Sequence, residues 1–192
     1  MLWYYHLQPV QTATTNVPAE AETTAPAESN TFTITEKDQS GEGGILLDAS
    51  LFTVEVPEGL KWNVYSYYYS AEDNLATVEI NFGTDYTDDF KLTVTTQRMV
   101  DSLESSEEEC ISNFDYIPSA VVEKLSEVSY GDFTYKALHI TSEYSDENFL
   151  VTYYEKADVL YGETYIEIEA DTDDIAIDDS MIVMVLNSLK LR

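Results

Sequence analysis

Ala76-Thr77-Val78-Glu79-Ile80-Asn81-Phe82 decides the fold, together with Phe90-Lys91-Leu92-Thr93-Val94 a few residues on. In both runs every second residue is apolar and the residues between are polar, the period of a strand that buries one face. Gly83 and a short polar stretch separate them, a spacing that suits antiparallel neighbours. Upstream, Phe52-Thr53-Val54-Glu55-Val56 alternates in the same way and is stopped by Pro57-Glu58-Gly59. Between lies Trp62 to Tyr69. Strict alternation there places Tyr65, Tyr67 and Tyr69 on one face and Trp62, Val64, Ser66 and Tyr68 on the other. Four such segments joined by short polar turns predict an antiparallel meander.

Downstream the period changes. Ser105-Ser106-Glu107-Glu108-Glu109 opens a helix with Ser105 and Glu108 at capping-box spacing, and Cys110, Ile111 and Phe114 supply its apolar edge before Pro118 breaks it. Ser119 to Glu127 fits helix or strand. Three further strands are expected at Phe133 to Thr141, Asn148 to Glu155 and Glu163 to Ala170, each after a polar or Gly turn. In the first of these, Leu138 and Ile140 face one way and Phe133, Tyr135 and Ala137 the other, so this strand is covered on both sides. The acidic Asp178-Asp179 then leads into Met181 to Leu189, whose apolar residues stack at helical spacing, with Lys190 and Arg192 at the negative end of the dipole. Strands then helix, strands then helix, is an α+β layout around a mainly antiparallel sheet of about seven strands.

The chain has 192 residues, 37 acidic against 9 basic, and a formal net charge of -28. Nucleic acid is excluded as a natural partner, because phosphate binding needs Lys and Arg to displace counterions. A polybasic lipid contact is excluded on the same ground. One cysteine, Cys110, allows neither an internal disulfide framework nor a thiolate zinc site. Residues 11–31 hold no aromatic and no basic residue and are rich in Thr, Ala, Glu and Pro, which predicts a disordered spacer. Gly41 to Gly44 reads as the joint. The organisation expected is a tail and linker over 1–44 and a single globular α+β domain over 45–192. A spacer of this kind suits an extracytoplasmic domain held off a bacterial envelope or secreted; the alternative is a cytoplasmic protein with an acidic tail. No run reaches the ~18 apolar residues of a membrane span, and no cysteine near Met1 could accept lipid.

The segments resemble the Mog1/PsbP-like group, whose bacterial members include secreted and lipid-anchored proteins. The resemblance rests on Phe52 to Gly59 in the form F-x-V-x-V-P-E-G, on Gly131-Asp132-Phe133-Thr134-Tyr135, and on Gly162 to Ile166 followed by acids and a closing helix that ends Asn187-Ser188-Leu189-Lys190. It covers about 140 residues by pattern. It implies an α/β/α sandwich with a central antiparallel sheet. It also implies a role through protein contact, since its named members are a photosystem extrinsic subunit and a nuclear-transport cofactor.

Candidate chemistry is sparse. No catalytic residue is assigned: there is no G-x-S-x-G elbow, no H-E-x-x-H and no phosphate-cradling glycine loop, and Cys110 follows three Glu whose field raises a thiol pKa. Asp171, Asp173 and Asp174 are the candidate calcium ligands, read as one acidic loop, with Asp85 to Asp89 as a second loop. The competing reading is a solvated turn that caps the following helix. Tyr65, Tyr67 and Tyr69 are the candidate ligand-binding residues, because tyrosine gives large contact area with few torsions to freeze. The reading that follows is a non-enzymatic interaction domain with a protein or cell-envelope partner. Its alternatives are an acid-dependent hydrolase with a carboxylate pair, which 37 acids permit by accident, and a calcium-stabilised structural module.

Overall fold

The computed structural model describes residues 30–70, 75–84, 89–96, 102–144, 146–156, 164–173 and 176–192. The strands before the first helix are β1 (Asn30–Thr33), β2 (Ser40–Glu42), β3 (Ile45–Asp48), β4 (Phe52–Val56), β5 (Lys61–Ser70), β6 (Leu75–Gly83) and β7 (Phe90–Thr96). Helix α1 (Leu103–Ser112) follows, then β8 (Val121–Lys124), β9 (Val128–Tyr130), β10 (Phe133–Thr141), β11 (Asp146–Lys156) and β12 (Thr164–Asp173). Helix α2 (Ser180–Ser188) and β13 (Lys190–Leu191) close the chain.

The expected single sheet of about seven strands is replaced by two. A nine-stranded sheet runs β2-β5-β6-β7-β12-β11-β10-β8, with β9 paired to the start of β10, and a four-stranded sheet runs β1-β3-β4-β13. The large sheet is antiparallel throughout, and the β6–β7 hairpin has the register its alternation predicts, with Val78 opposite Val94 and Ile80 opposite Leu92. The alternating run Phe52 to Val56 belongs to the small sheet, where β4 pairs antiparallel with β3 and with β13. Its buried residues Phe52, Val54 and Val56 meet the large sheet's inner face in one core with Trp62, Val64, Val78, Ile80, Phe82, Leu92 and Val94. Sheet packed on sheet therefore fills much of the layer that the sandwich reading gave to a helix.

Both faces of the large sheet are covered at β10 and β11, as the residue pattern requires. Tyr135, Ala137 and Leu150 join the main core with Ile182, Val185 and Leu186 of α2. Leu138, Ile140, Phe149 and Val151 form a second core with Cys110 of α1. Each large apolar side chain so buried contributes about 1.5–3 kcal/mol; α1 covers one face of this strand pair, and the other face lies in the core that α2 shares with β4.

Both helix ends follow from local hydrogen bonding. Helix α1 begins a turn earlier than the Ser105–Glu108 spacing suggests: Ser102 is the N-cap, its Oγ accepts from the Ser105 N–H at 3.1 Å, and the Ser105 Oγ accepts from the Ser102 N–H at 3.0 Å. For α2, the Asp179 carboxylate accepts from the Met181 N–H at 2.8 Å. Lys190 and Arg192 do not sit in that helix's last turn. Leu189 is already extended, Lys190 pairs with Thr53 in the small sheet, and the two cations reach Asp132 and Asp48. Within Ser119 to Glu127 the regular element is a strand, β8, over Val121–Lys124.

The first strands also lie upstream of the expected boundary at residue 45. Ile34 is buried in the main core, and Phe32 packs on Trp62 with ring centroids 5.0 Å apart. Gly41 to Gly44 is no loose joint. A Cβ on Gly43 would stand 1.8 Å from the Pro57 carbonyl oxygen, and the Gly43 and Gly44 N–H groups donate to the Leu60 and Val56 carbonyls at 2.7 Å each. Two ordered apolar anchors before Ser40 explain why the segment is held: they offset the entropy of ordering it. Residues 1–29, with the remainder of the expected spacer, lie outside the described residues.

Candidate functional site

The tyrosine stretch of β5 is where sequence pattern and structure differ most usefully. Lys61, Trp62, Asn63 and Val64 pair with Gly83, Phe82, Asn81 and Ile80, and then the register skips a residue: Ser66, not Tyr65, stands opposite Glu79. This is a β-bulge, and it reverses which residues face the core beyond it. Trp62 and Val64 point inward before the bulge. After it Tyr67 and Tyr69 stand opposite the buried Val78 and Ala76, so they take the core face, and Tyr67 packs against the core edge. Tyr68 shares the opposite face with Ser66.

The expected ladder of Tyr65, Tyr67 and Tyr69 on one face is thus corrected. Tyr65 rides on the bulge at 65% exposure, Tyr69 is 42% exposed at the strand's end, and Tyr68 is 48% exposed on the other face. The aromatic surface is a strand with phenols on both sides, not a one-sided stripe. Simple alternation puts Tyr68 on one face with Trp62 and Val64, which are buried; only the bulge separates it from them. Of the later tyrosines, Tyr154 packs edge-on to Phe133 at 5.8 Å, while Tyr161 lies outside the described residues. Two more exposed phenols, Tyr116 and Tyr144, sit in turns at the other end of the large sheet, where no periodicity marks them.

The remaining candidates separate. Asp171 and Asp173 are not in a loop: both belong to β12, in register with Phe149 and Glu147 of β11. Asp174 lies outside the described residues, as do residues 85–88. Asp89 is committed to its own turn, its carboxylate accepting from the Thr84 N–H at 2.8 Å and from the Thr84 hydroxyl at 3.2 Å. Among the described residues no three His, Cys, Asp or Glu side chains gather as a metal-binding group. Cys110 and His139, the types of residue that could pair as nucleophile and base, lie apart. Cys110 is buried with Leu138 and Ile140 on one face of β10, and His139, between them in sequence, points to the other. There its Nδ1 lies 3.0 Å from the Asn148 Oδ1 and its Nε2 3.4 Å from the Asp146 carboxylate.

The electrostatics are one-sided. Lys37, Lys91, Lys124, Lys136, Lys190 and Arg192 each lie against a carboxylate of the same chain, among them Lys124 with Glu107 at 2.5 Å and Lys190 with Asp132 at 2.6 Å. The Glu127 hydrogen bond holds the Lys136 ammonium above its ordinary pKa; desolvation opposes it, and charge attraction from Glu127, Glu104 and Glu107 adds to it. Exposed pairs of this kind contribute ~0–1 kcal/mol each. Their larger consequence is that most of the few cations are occupied within the chain, so the field reaching a partner is that of the surplus carboxylates. Such a surface, carrying exposed phenols, suits a cationic ligand: Lys and Arg are attracted to carboxylates and to the faces of tyrosine rings alike.

Among the described residues no helix is long and apolar enough to cross a membrane. No protein-family model matches the chain, so the Mog1/PsbP-like resemblance has no support from that side, and no curated protein matches it either. Among solved structures there is a likeness to LpqN of Mycobacterium tuberculosis, described as involved in cell envelope biogenesis. It has a TM-score of 0.35 and 11% identity, over 83% of this chain and 88% of that one. At that level it informs neither activity nor partner.

Proposed function

We propose that the chain is a non-enzymatic binding domain acting outside the cytoplasm, where its Thr/Ala/Glu/Pro-rich segment serves as a spacer, and that it engages a positively charged protein surface through the tyrosines of β5. The observation that carries this reading is the exposure of Tyr65, Tyr68 and Tyr69 on one strand of a molecule with a net charge of -28. Three neighbouring aromatic side chains that each keep a large share of their surface exposed are favourable for contact with a partner. The charge supplies the sign of the partner.

The test is calorimetric titration at low salt with a short lysine-rich peptide. Tyr65→Ala combined with Tyr68→Ala removes two exposed cation–π contacts of about 0.5–1 kcal/mol each and is expected to weaken binding about tenfold. Tyr116→Ala combined with Tyr144→Ala, at the far end of the sheet, is expected to leave it unchanged. No loss from either pair would mean that general charge attraction, and not the tyrosines of β5, carries the binding, and equal losses from both would mean that exposed phenols contribute wherever they lie.

A further inference from the structure

The far end of the large sheet carries a second group of exposed side chains. Tyr144 is 83% exposed, Tyr116 80% and Val121 63%, three of the four most exposed large hydrophobic side chains among the described residues. They belong to one place. Val121 opens β8 opposite Thr141 of β10, and the Glu143 N–H donates to the Ser119 hydroxyl at 3.3 Å. The segment leading from α1 into β8 therefore runs beside the turn between β10 and β11. Tyr116 stands three residues before Ser119, and Tyr144 directly follows Glu143. Single exposed hydrophobic side chains are ordinary on a protein surface, whereas several together mark a contact surface.

The backbone beneath them is fixed. After α1 the Phe114, Ile117 and Ala120 N–H groups donate to the Ile111, Phe114 and Ile117 carbonyls at 3.0, 2.9 and 3.0 Å, a succession of tight turns. The Phe114 ring packs edge-on to Phe149 with centroids 5.3 Å apart and joins the second core, while Tyr116, two residues on, stays in water. In the opposite turn the Tyr144 N–H donates to the Ser142 hydroxyl at 3.0 Å. Aromatic side chains presented on ordered backbone lose little freedom when a partner covers them.

Charge selects the partner. Asp115, Glu123, Glu143 and Asp146 are all exposed beside these three residues. Lys124, the cation of β8, is held by Glu107 at 2.5 Å, and His139 lies 3.4 Å from the Asp146 carboxylate. A second copy of the chain would set carboxylates against carboxylates, and a nucleic acid or an anionic lipid surface is repelled in the same way. Val121 differs from the phenols in having no polar tip, so what covers it must itself be apolar.

We propose that this end of the large sheet docks a segment of another protein that carries apolar side chains among lysines and arginines. The apolar side chains cover Tyr116, Val121 and Tyr144, and the cations meet the surrounding carboxylates, the arrangement of an apolar centre with a polar rim. The inference stands apart from the β5 reading, whose ligand needs charge and no apolar side chain.

The experiment uses the full chain and two capped peptides of equal length and charge, one of lysine and leucine, the other with every leucine replaced by serine. The leucine peptide is expected to bind at least about tenfold more tightly, the effect of one well-covered apolar side chain. Tyr116→Ala combined with Tyr144→Ala, and separately Val121→Ser, are expected to remove most of that preference and to leave the serine peptide unchanged. Tyr65→Ala combined with Tyr68→Ala is expected to weaken both peptides and keep their ratio. Amide hydrogen exchange is expected to slow over residues 114–121 and 141–144 when the leucine peptide binds. Equal affinity of the unaltered chain for the two peptides overturns the proposal. A preference lost only with the β5 pair, or slowed exchange confined to β5, overturns the location. Self-association of the chain in sedimentation that the Tyr116 and Tyr144 substitutions abolish overturns the choice of occupant in favour of a second copy.

Discussion

At the scale of single residues, Gly43 and Tyr135 are constrained for opposite reasons. Gly43 has no room: an added methyl would overlap the Pro57 carbonyl at 1.8 Å, and that oxygen belongs to backbone fixed by the β4–β5 turn. Gly43→Ala is therefore expected to destabilise the chain by about 2 kcal/mol or more, the range of overpacked sites. In a loose joint the same change would be neutral or slightly stabilising through the unfolded chain, so denaturant unfolding decides between a packed and an open segment. Tyr135 instead has a hydroxyl with nowhere to go. It is fully buried between Tyr130 and Phe133, and among the described residues no hydrogen bond reaches its oxygen. An unsatisfied buried hydroxyl is unfavourable by ~1–3 kcal/mol, so Tyr135→Phe is expected to raise stability by about 1 kcal/mol. Burial, with a smaller contribution from Tyr130, also pushes this phenol far above its ordinary value of 10.0, and burial and Asp178 push Tyr130 in the same direction. Above about pH 10 the unfolded chain releases protons that the folded chain keeps, so the unfolded state is favoured as pH rises. The contribution is constant below that pH and is lost above it. Tyr135→Phe should flatten the alkaline fall in stability, and an unchanged slope would mean that the ring is not sealed from solvent.

Elements show how much of the fold can be read from residue order. The start of helix α2 is legible, because Asp179 marks it and the apolar face repeats at helical spacing, but its end is not, since the cations expected at its negative pole belong to and flank a strand. Asp179→Ala removes the bond to the Met181 N–H and is expected to lower stability by about 1 kcal/mol, with Asp179→Asn retaining most of it. If alanine and asparagine behave alike in thermal unfolding, the cap contributes nothing. The start of α1 was displaced by one turn for a local reason: Ser102 and Ser105 are both competent caps, and the reciprocal pair they form is invisible to a rule that looks for serine and glutamate. The bulge in β5 was hidden more deeply. In Tyr65-Ser66-Tyr67-Tyr68-Tyr69 both parities contain tyrosine, so sliding the pattern by one residue changes neither face's chemistry enough to betray the slip. The candidate residues Tyr65 and Tyr69 were found by composition, while their geometry and the exposure of Tyr68 required the register. The small sheet was illegible for a third reason. The alternation of β4 shows that it is a strand, but its partner Lys190–Leu191 is two residues long and lies at the far end of the chain. Pairing between distant short segments leaves no periodic mark.

Over the whole molecule the surplus of carboxylates acts in two opposite ways, and salt separates them. Compaction brings like charges together, so self-repulsion destabilises the folded state. The ion pairs described above are mostly exposed, and screening them forfeits at most a fraction of a kcal/mol each. Against them stand 28 uncompensated negative charges, so relief of repulsion should win. Raising sodium chloride from about 0.01 M to 0.15 M shortens the screening length from ~30 Å to ~8 Å, and the melting temperature is expected to rise by roughly 2–4 °C, the response of a chain of this size to about 1 kcal/mol. Chloride is the appropriate anion, because sulfate would stabilise almost any fold by exclusion from its surface. The same screening should weaken the lysine-rich peptide, since attraction between unlike charges fades over the same distance. Stability and affinity are thus expected to move in opposite directions in one salt series, measured by calorimetry and titration on the same samples. A melting temperature that falls with salt would mean that the internal pairs outweigh the repulsion, and the carboxylates would then be part of what holds the fold together instead of a surface left over for a partner.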